Sequence, residues 1–127
     1  MACALLRGLL PTDLLSVEGE LLLLGNCSGE GRINIACYAS TDQGETCQER
    51  GVLSVANAHK GIYLCEPHLV QLPNGRLLGQ MRVNGRDVEN RQLMQSISAD
   101  GGRTWSSVVS TGIWGVRTCC NILRECG

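Results

Sequence analysis

The sequence predicts an all-β chain of two four-stranded antiparallel meanders, and three observations carry that prediction. First, one eight-residue loop pattern occurs twice: Ser40-Thr41-Asp42-Gln43-Gly44-Glu45-Thr46-Cys47 returns 58 residues later as Ser98-Ala99-Asp100-Gly101-Gly102-Arg103-Thr104-Trp105. Second, each copy lies between apolar runs of strand length. Third, the stretches before the two copies superpose at an offset of 56 residues, so that Pro11 falls on Pro67, Gly19 on Gly75 and Leu21-Leu22 on Leu77-Leu78.

Taken in order, residues 9–17 and 20–25 read as two short strands around the turn signal Glu18-Gly19, and 27–31 as a loop. Residues 33–40 form the third strand, the first loop motif follows, and 48–55 return as a more polar fourth strand. Residues 56–61 connect to the second unit. There the strands are expected at 65–72, 76–83, 92–98 and 105–110, with a turn at Pro73-Asn74-Gly75 and the second motif between the last two. Radially repeated four-stranded sheets are the blades of a β-propeller, which closes with about four to eight of them. This chain supplies two: residues 1–60 with the first motif and 61–115 with the second.

The motif has a physical logic as a hairpin loop. Asp42 and Asp100 can accept hydrogen bonds from neighbouring backbone N–H groups, Gly44 and Gly102 supply positive φ, and Thr46 and Thr104 each add a hydroxyl contact. Ser40 and Ser98 open the two copies. Trp105 then leaves the second loop as an apolar wedge. Cys47 stands at the corresponding place in the first, where the missing wedge leaves space worth about 3 kcal/mol unless another side chain fills it.

Composition narrows the class. The chain is 43% hydrophobic and 18% charged, a globular balance, but only 3% aromatic with no Phe, so Leu and Val must carry the core. A net charge of −1 with scattered Lys and Arg argues against nucleic acid. No run is long enough for a membrane span, and the N-terminal stretch lacks a basic region ahead of its apolar residues, so no signal peptide is read and the cytoplasm is the expected compartment. The eight cysteines show no Cys-x-x-Cys pair and no framework spacing, so free thiols are expected and no metal or other cofactor is implied. Asn26-Cys27-Ser28 matches a glycosylation acceptor.

Chemistry concentrates between Glu66 and Arg82. With Pro73-Asn74-Gly75 as a three-residue turn, Leu72 pairs with Arg76, and counting back places Glu66 opposite Arg82. Directly opposed side chains lie about 5 Å apart at Cβ, close enough for a carboxylate–guanidinium pair. That pair lies toward the edge opposite both loop motifs, so the motifs are scaffold and the Glu66–Arg82 edge is the candidate site. His68 alternates onto the same face. Tyr38, Tyr63 and Trp114 are expected to pack, and His59 to be solvated.

The doubled pattern Ser-x-Asp-x-Gly-x-Thr-Trp, complete in the second copy, resembles the Asp-box or BNR repeat of the sialidase superfamily. The segment from Glu66-Pro67-His68-Leu69 through Pro73-Asn74-Gly75-Arg76 to Met81-Arg82 is similar to the sialidase stretch running from a catalytic Glu to a substrate-binding arginine. The resemblance implies a six-bladed propeller and an exo-glycosidase releasing terminal sialic acid or a related sugar. Its catalytic Glu would be Glu66, acting as base toward a nucleophilic Tyr. Arg82 would be one of three arginines on the substrate carboxylate, and His68 a further substrate contact. The first arginine's Arg-Ile-Pro, the acid Asp, the third arginine and the nucleophile find no counterpart in this chain, which is expected to be inactive without further blades. A non-catalytic Asp-box module binding carbohydrate or protein is the alternative.

Residues 116–127 depart from the repeat and carry three of the eight cysteines. A one-base shift through permitted codons turns the run beginning at Val116 into Pro-His-Leu-Leu, which matches the start of Pro67-His68-Leu69, so this tail is expected to be out of frame.

Overall fold

Each turn in the computed structural model follows from its residues; the described residues are 14–29, 32–54, 62–85 and 92–114. Strands β1 (Leu15–Val17) and β2 (Glu20–Gly29) join through Glu18 and Gly19 at φ 50° and 80°, the doubly left-handed geometry of a two-residue hairpin whose twist suits the strands. β3 (Arg32–Ser40) and β4 (Gln48–Leu53) complete an antiparallel sheet in the order β1-β2-β3-β4. β5 (Ile62–Gln71), β6 (Leu77–Gly85), β7 (Gln92–Ser98) and β8 (Val109–Trp114) form a second, ordered β5-β6-β7-β8. The all-β expectation and the two four-stranded meanders hold. No helix occurs among the described residues, so none is long and apolar enough to cross a membrane.

The β5–β6 turn is the expected three-residue loop. Leu72 N–H donates to Arg76 O at 2.8 Å and Gly75 N–H to Leu72 O at 2.9 Å, with Gly75 at φ 85°. Asn74 Oδ1 accepts from Arg76 N–H at 3.0 Å.

Alternation along the strands divides each sheet into two faces. Leu22, Leu24, Ile35, Cys37 and Leu53 of the first sheet pack in one cluster with Leu64, Leu69, Leu77 and Met81 of the second. Each fully buried aliphatic side chain contributes about 1.5–3 kcal/mol. Two glycines permit the approach. A Cβ on Gly79 would lie 2.9 Å from Leu24 Cδ1, and one on Gly51 would lie 2.4 Å from Gly102 O and 2.6 Å from Arg103 O. The second loop motif therefore rests on the β4 backbone of the first sheet.

The place left by the missing Trp is filled by neighbours. In the second sheet Trp105 lies against Gly79, which pairs with Ser96, and both are small. In the first sheet the repeat-equivalent pair is Leu23 and Tyr38, and these pack on Cys47 together with Leu14. Large and small residues have exchanged places, so the expected cavity does not arise.

Several boundaries differ from expectation. Strand β2 runs through Cys27 to Gly29 and β3 starts at Arg32, where a loop over 27–31 was expected. β8 begins at Val109 rather than at Trp105, because the indole turns inward to donate from Nε1 to Gly102 O at 2.9 Å, and Ser106 N–H bonds back to Ile97 O. Cys37 is a free, buried thiol whose pKa burial raises to about 11. Cys47 is disulfide-bonded, correcting the expectation of free thiols throughout. His59, the side chains of Asn26 and Tyr63, the whole 56–61 connection and the tail from Val116 lie outside the described residues.

Candidate functional site

The two loop motifs are one structure built twice. Ser40 Oγ donates to Asp42 Oδ1 at 2.8 Å and accepts from Gly44 N–H at 2.8 Å; Ser98 Oγ does the same with Asp100 Oδ1 and Gly102 N–H at 2.9 Å each. Asp42 accepts from Thr46 N–H at 2.9 Å and Thr46 Oγ1 at 2.5 Å, and Asp100 from Thr104 N–H at 2.8 Å and Thr104 Oγ1 at 2.5 Å. Gly44 and Gly102 adopt φ 91° and 93°, which a side chain would strain. Hydrogen bonds from the Thr hydroxyl and N–H, reinforced by the Ser hydroxyl, hold both carboxyls down at about 2. Every carboxylate oxygen is engaged within its own loop, which is the arrangement of a scaffold.

The Glu66–Arg82 pair lies away from these loops. Arg82 Nη2 donates to Glu66 Oε1 at 3.2 Å, with the Arg82 side chain 19% exposed and that of Glu66 49%. The pairing arises differently from the simple cross-strand count. His68, Leu69, Val70 and Gln71 do pair with Gln80, Gly79, Leu78 and Leu77 as the turn dictates, but Arg82 pairs with Cys65. Between them lies a β-bulge in which Glu66 and Pro67 oppose Met81 alone. Pro67 has no N–H to give the ladder, and Glu66 takes φ 49°, a left-handed conformation uncommon for a residue with a side chain. The bulge brings the Glu66 carboxylate to Arg82 despite the shifted register.

Position along the strands sets the site apart from the loops. Leu77 pairs with Ser98 at the loop end of the second sheet, and Arg82 pairs with Leu93 five residues further along. Alternation puts His68, Gln80 and Arg82 on one face, turned away from the first sheet. His68 pairs with Gln80 and Gln80 with Gln95, a polar row across three strands. Gln80 and Gln95 were not singled out by sequence reasoning. The internal repeat carries the signal: their counterparts in the first sheet are Leu24 and Cys37, both buried in the core. Tyr38 packs with Leu23 and Cys47, in line with its expected packing role, whereas Trp114 is 65% exposed on β8 and does not pack as expected.

The site can offer a guanidinium to an anion, with a half-exposed carboxylate beside it able to accept a proton or a hydroxyl hydrogen bond. Among the described residues no group of three His, Cys, Asp or Glu side chains is placed to hold a metal ion.

No protein-family model and no curated protein matches the chain. Among solved structures, the chain is similar to a protein of unknown function from Dyadobacter fermentans DSM 18053, with a TM-score of 0.67 at 18% identity. The match covers 80% of this chain and 28% of that one, and at this identity it speaks for the fold alone.

Proposed function

We propose that the two sheets are two blades of a sialidase-type β-propeller and that Glu66 and Arg82 are this chain's share of a site for a carboxylate-bearing sugar. The reaction class is hydrolysis of a terminal sialic acid or related glycoside. Arg82 holds the substrate carboxylate, Glu66 serves as base toward a nucleophile from another blade, and His68 lines the sugar. The observation that carries the reading is the bulge at Glu66. A charged residue in a costly left-handed conformation, set beside an arginine on the edge remote from the scaffold loops, is the kind of strain that functional sites store. The doubled loop motif supports the propeller architecture, and the Dyadobacter similarity, spanning 28% of that chain, fits two blades within a larger whole.

One chain supplies one arginine and one acid, so hydrolysis needs blades that carry the rest. A fluorogenic sialoside should remain intact with this chain alone and be cleaved once the neighbouring blades are joined to it, with Glu66→Gln abolishing the cleavage. Cleavage indifferent to Glu66→Gln overturns the catalytic assignment. The packing role of Tyr38, which takes it out of contention as nucleophile, favours a second reading as a non-catalytic sugar-binding module. Retained sialoside binding without cleavage in the joined protein would select it.

A further inference from the structure

A second polar site lies at the opposite end of the sheets. A cleft of about 510 Å³ opens between the two loop motifs, lined by Thr41, Thr46, Gln48, Glu49, Arg50 and Arg103. That volume falls within the range of small-molecule sites, about 300–1,000 Å³. Its lining offers hydroxyls, an amide, a carboxylate and two guanidinium groups, with Ala39 as the one aliphatic side chain.

Its two arginines differ in state. Arg50 is the extra residue of a β-bulge, where the register shifts between Cys37 and Tyr38, and it is aimed at the carboxylate of Glu20, 2.6 Å from Nη1. It also donates to Gly101 O at 3.3 Å, tying β4 to the second loop. Its charge is matched. Arg103 is exposed, and among the described residues its guanidinium makes one hydrogen bond, Nη1 to Asp100 O at 2.9 Å. A guanidinium carries five N–H donors, and a carbonyl does not neutralise it. Among the described residues its other four donors meet no protein acceptor and no carboxylate pairs with it directly, on a loop that its own hydrogen bonds make rigid. Arg103 also helps to keep Glu20 ionised, after the larger effect of the Arg50 hydrogen bond, so its field reaches the Glu20–Arg50 pair.

We propose that this cleft binds a saccharide unit bearing a single carboxylate, with Arg103 on the carboxylate and Thr41, Gln48 and Glu49 on ring hydroxyls. A guanidinium with no carboxylate in direct contact offers a place for one carboxylate. Glu49 accepts from hydroxyls and repels a dianion such as phosphate more strongly than a single carboxylate. Without an aromatic platform, recognition rests on hydrogen bonds and favours a polyhydroxylated ligand over a flat apolar one. The site is independent of Glu66 and Arg82 and does not rest on the hydrolase reading.

The test is ligand-observed NMR titration of the chain with glucuronate, glucose and inorganic phosphate. Glucuronate should bind at least tenfold more tightly than either of the others. Arg103→Gln should weaken it about tenfold. Arg103→Gln keeps the backbone N–H that Asp100 accepts; if its circular dichroism nevertheless changes, Thr41→Val, which should weaken glucuronate about threefold, decides instead. Equal binding of glucose or phosphate, no binding to the wild type, or no effect of the deciding variant overturns the proposal.

Discussion

Glu66 accepts a hydrogen bond from Arg82 at 3.2 Å although the ladder pairs Arg82 with Cys65, because the bulge at Glu66-Pro67 turns the carboxylate toward it. Left-handed backbone costs a residue with a side chain about 1–2 kcal/mol, which glycine avoids, and a half-exposed ion pair returns only about 0–1 kcal/mol. Glycine in turn costs about 0.5–1 kcal/mol in chain entropy. Glu66→Gly should therefore stay within about 1 kcal/mol of the wild type in urea unfolding. Glu66→Val, with a β-branched side chain forced to φ 49°, should lose about 2 kcal/mol or more. A Val variant as stable as the Gly variant would show that the bulge is not strained.

The loop carboxylates give a pH signature. Asp42 and Asp100 titrate at about 2 when folded against an ordinary 3.8, so the unfolded state binds protons first as pH falls. The stability they contribute is whole above the unfolded value and is lost as pH drops from about 4 to about 2. Thr46→Val and Thr104→Val remove the largest cause of each shift. Acid unfolding followed by circular dichroism should move to higher pH in the double variant, and an unmoved midpoint would contradict the role given to the Thr hydroxyls.

Trp105 and Gly79 should be energetically coupled. Trp105→Ala opens a cavity and should cost about 3–5 kcal/mol. Gly79→Leu alone drives a side chain into Leu24 and Trp105 and should cost about 1–3 kcal/mol. In the Trp105→Ala background the same Leu enters the vacated space, as Leu23 does beside Cys47, and the double variant should be more stable than the sum of the singles. A double-mutant cycle with no coupling would mean that the two positions do not share that volume.

Much of this architecture was legible because turn chemistry and repetition are local. Glu18-Gly19 and Pro73-Asn74-Gly75 set the hairpins, the loop motifs set β3–β4 and β7–β8, and counting from Gly75 gave the ladder correctly as far as His68. The count failed one step later, at Pro67. A proline in a strand removes a ladder donor, and that was the available warning of a bulge. Contacts between the sheets were not legible. Nothing in the sequence around Gly51 and Gly79 signals the backbone of residues 102–103 and the Leu24 side chain that lie against them. The inward turn of Trp105 depends on the Gly102 carbonyl waiting for its N–H, which strand alternation does not reveal.

Gly51 marks the join between the sheets. An added methyl would meet backbone carbonyl oxygens at 2.4 and 2.6 Å, which cannot swing aside as side chains do. Gly51→Ala should cost about 3 kcal/mol, at the upper end for overpacking, and should redden tryptophan emission as the second loop lifts and exposes Trp105. At Gly75, φ 85° with open space around it, alanine should cost about 1–2 kcal/mol and leave the emission in place. Equal spectra for the two variants would contradict the seating of that loop on β4.

The proposed assignment of Arg82 as a carboxylate-binding arm is tested most directly by the binding of sialic acid and of its methyl ester to the protein joined to the further blades proposed for it. Calorimetry should show the free acid binding at least tenfold more tightly than the ester, with Arg82→Ala erasing that preference while ester binding changes little, since a guanidinium–carboxylate contact is charge-assisted. An undiminished preference for the acid in Arg82→Ala would place the carboxylate elsewhere and contradict the account.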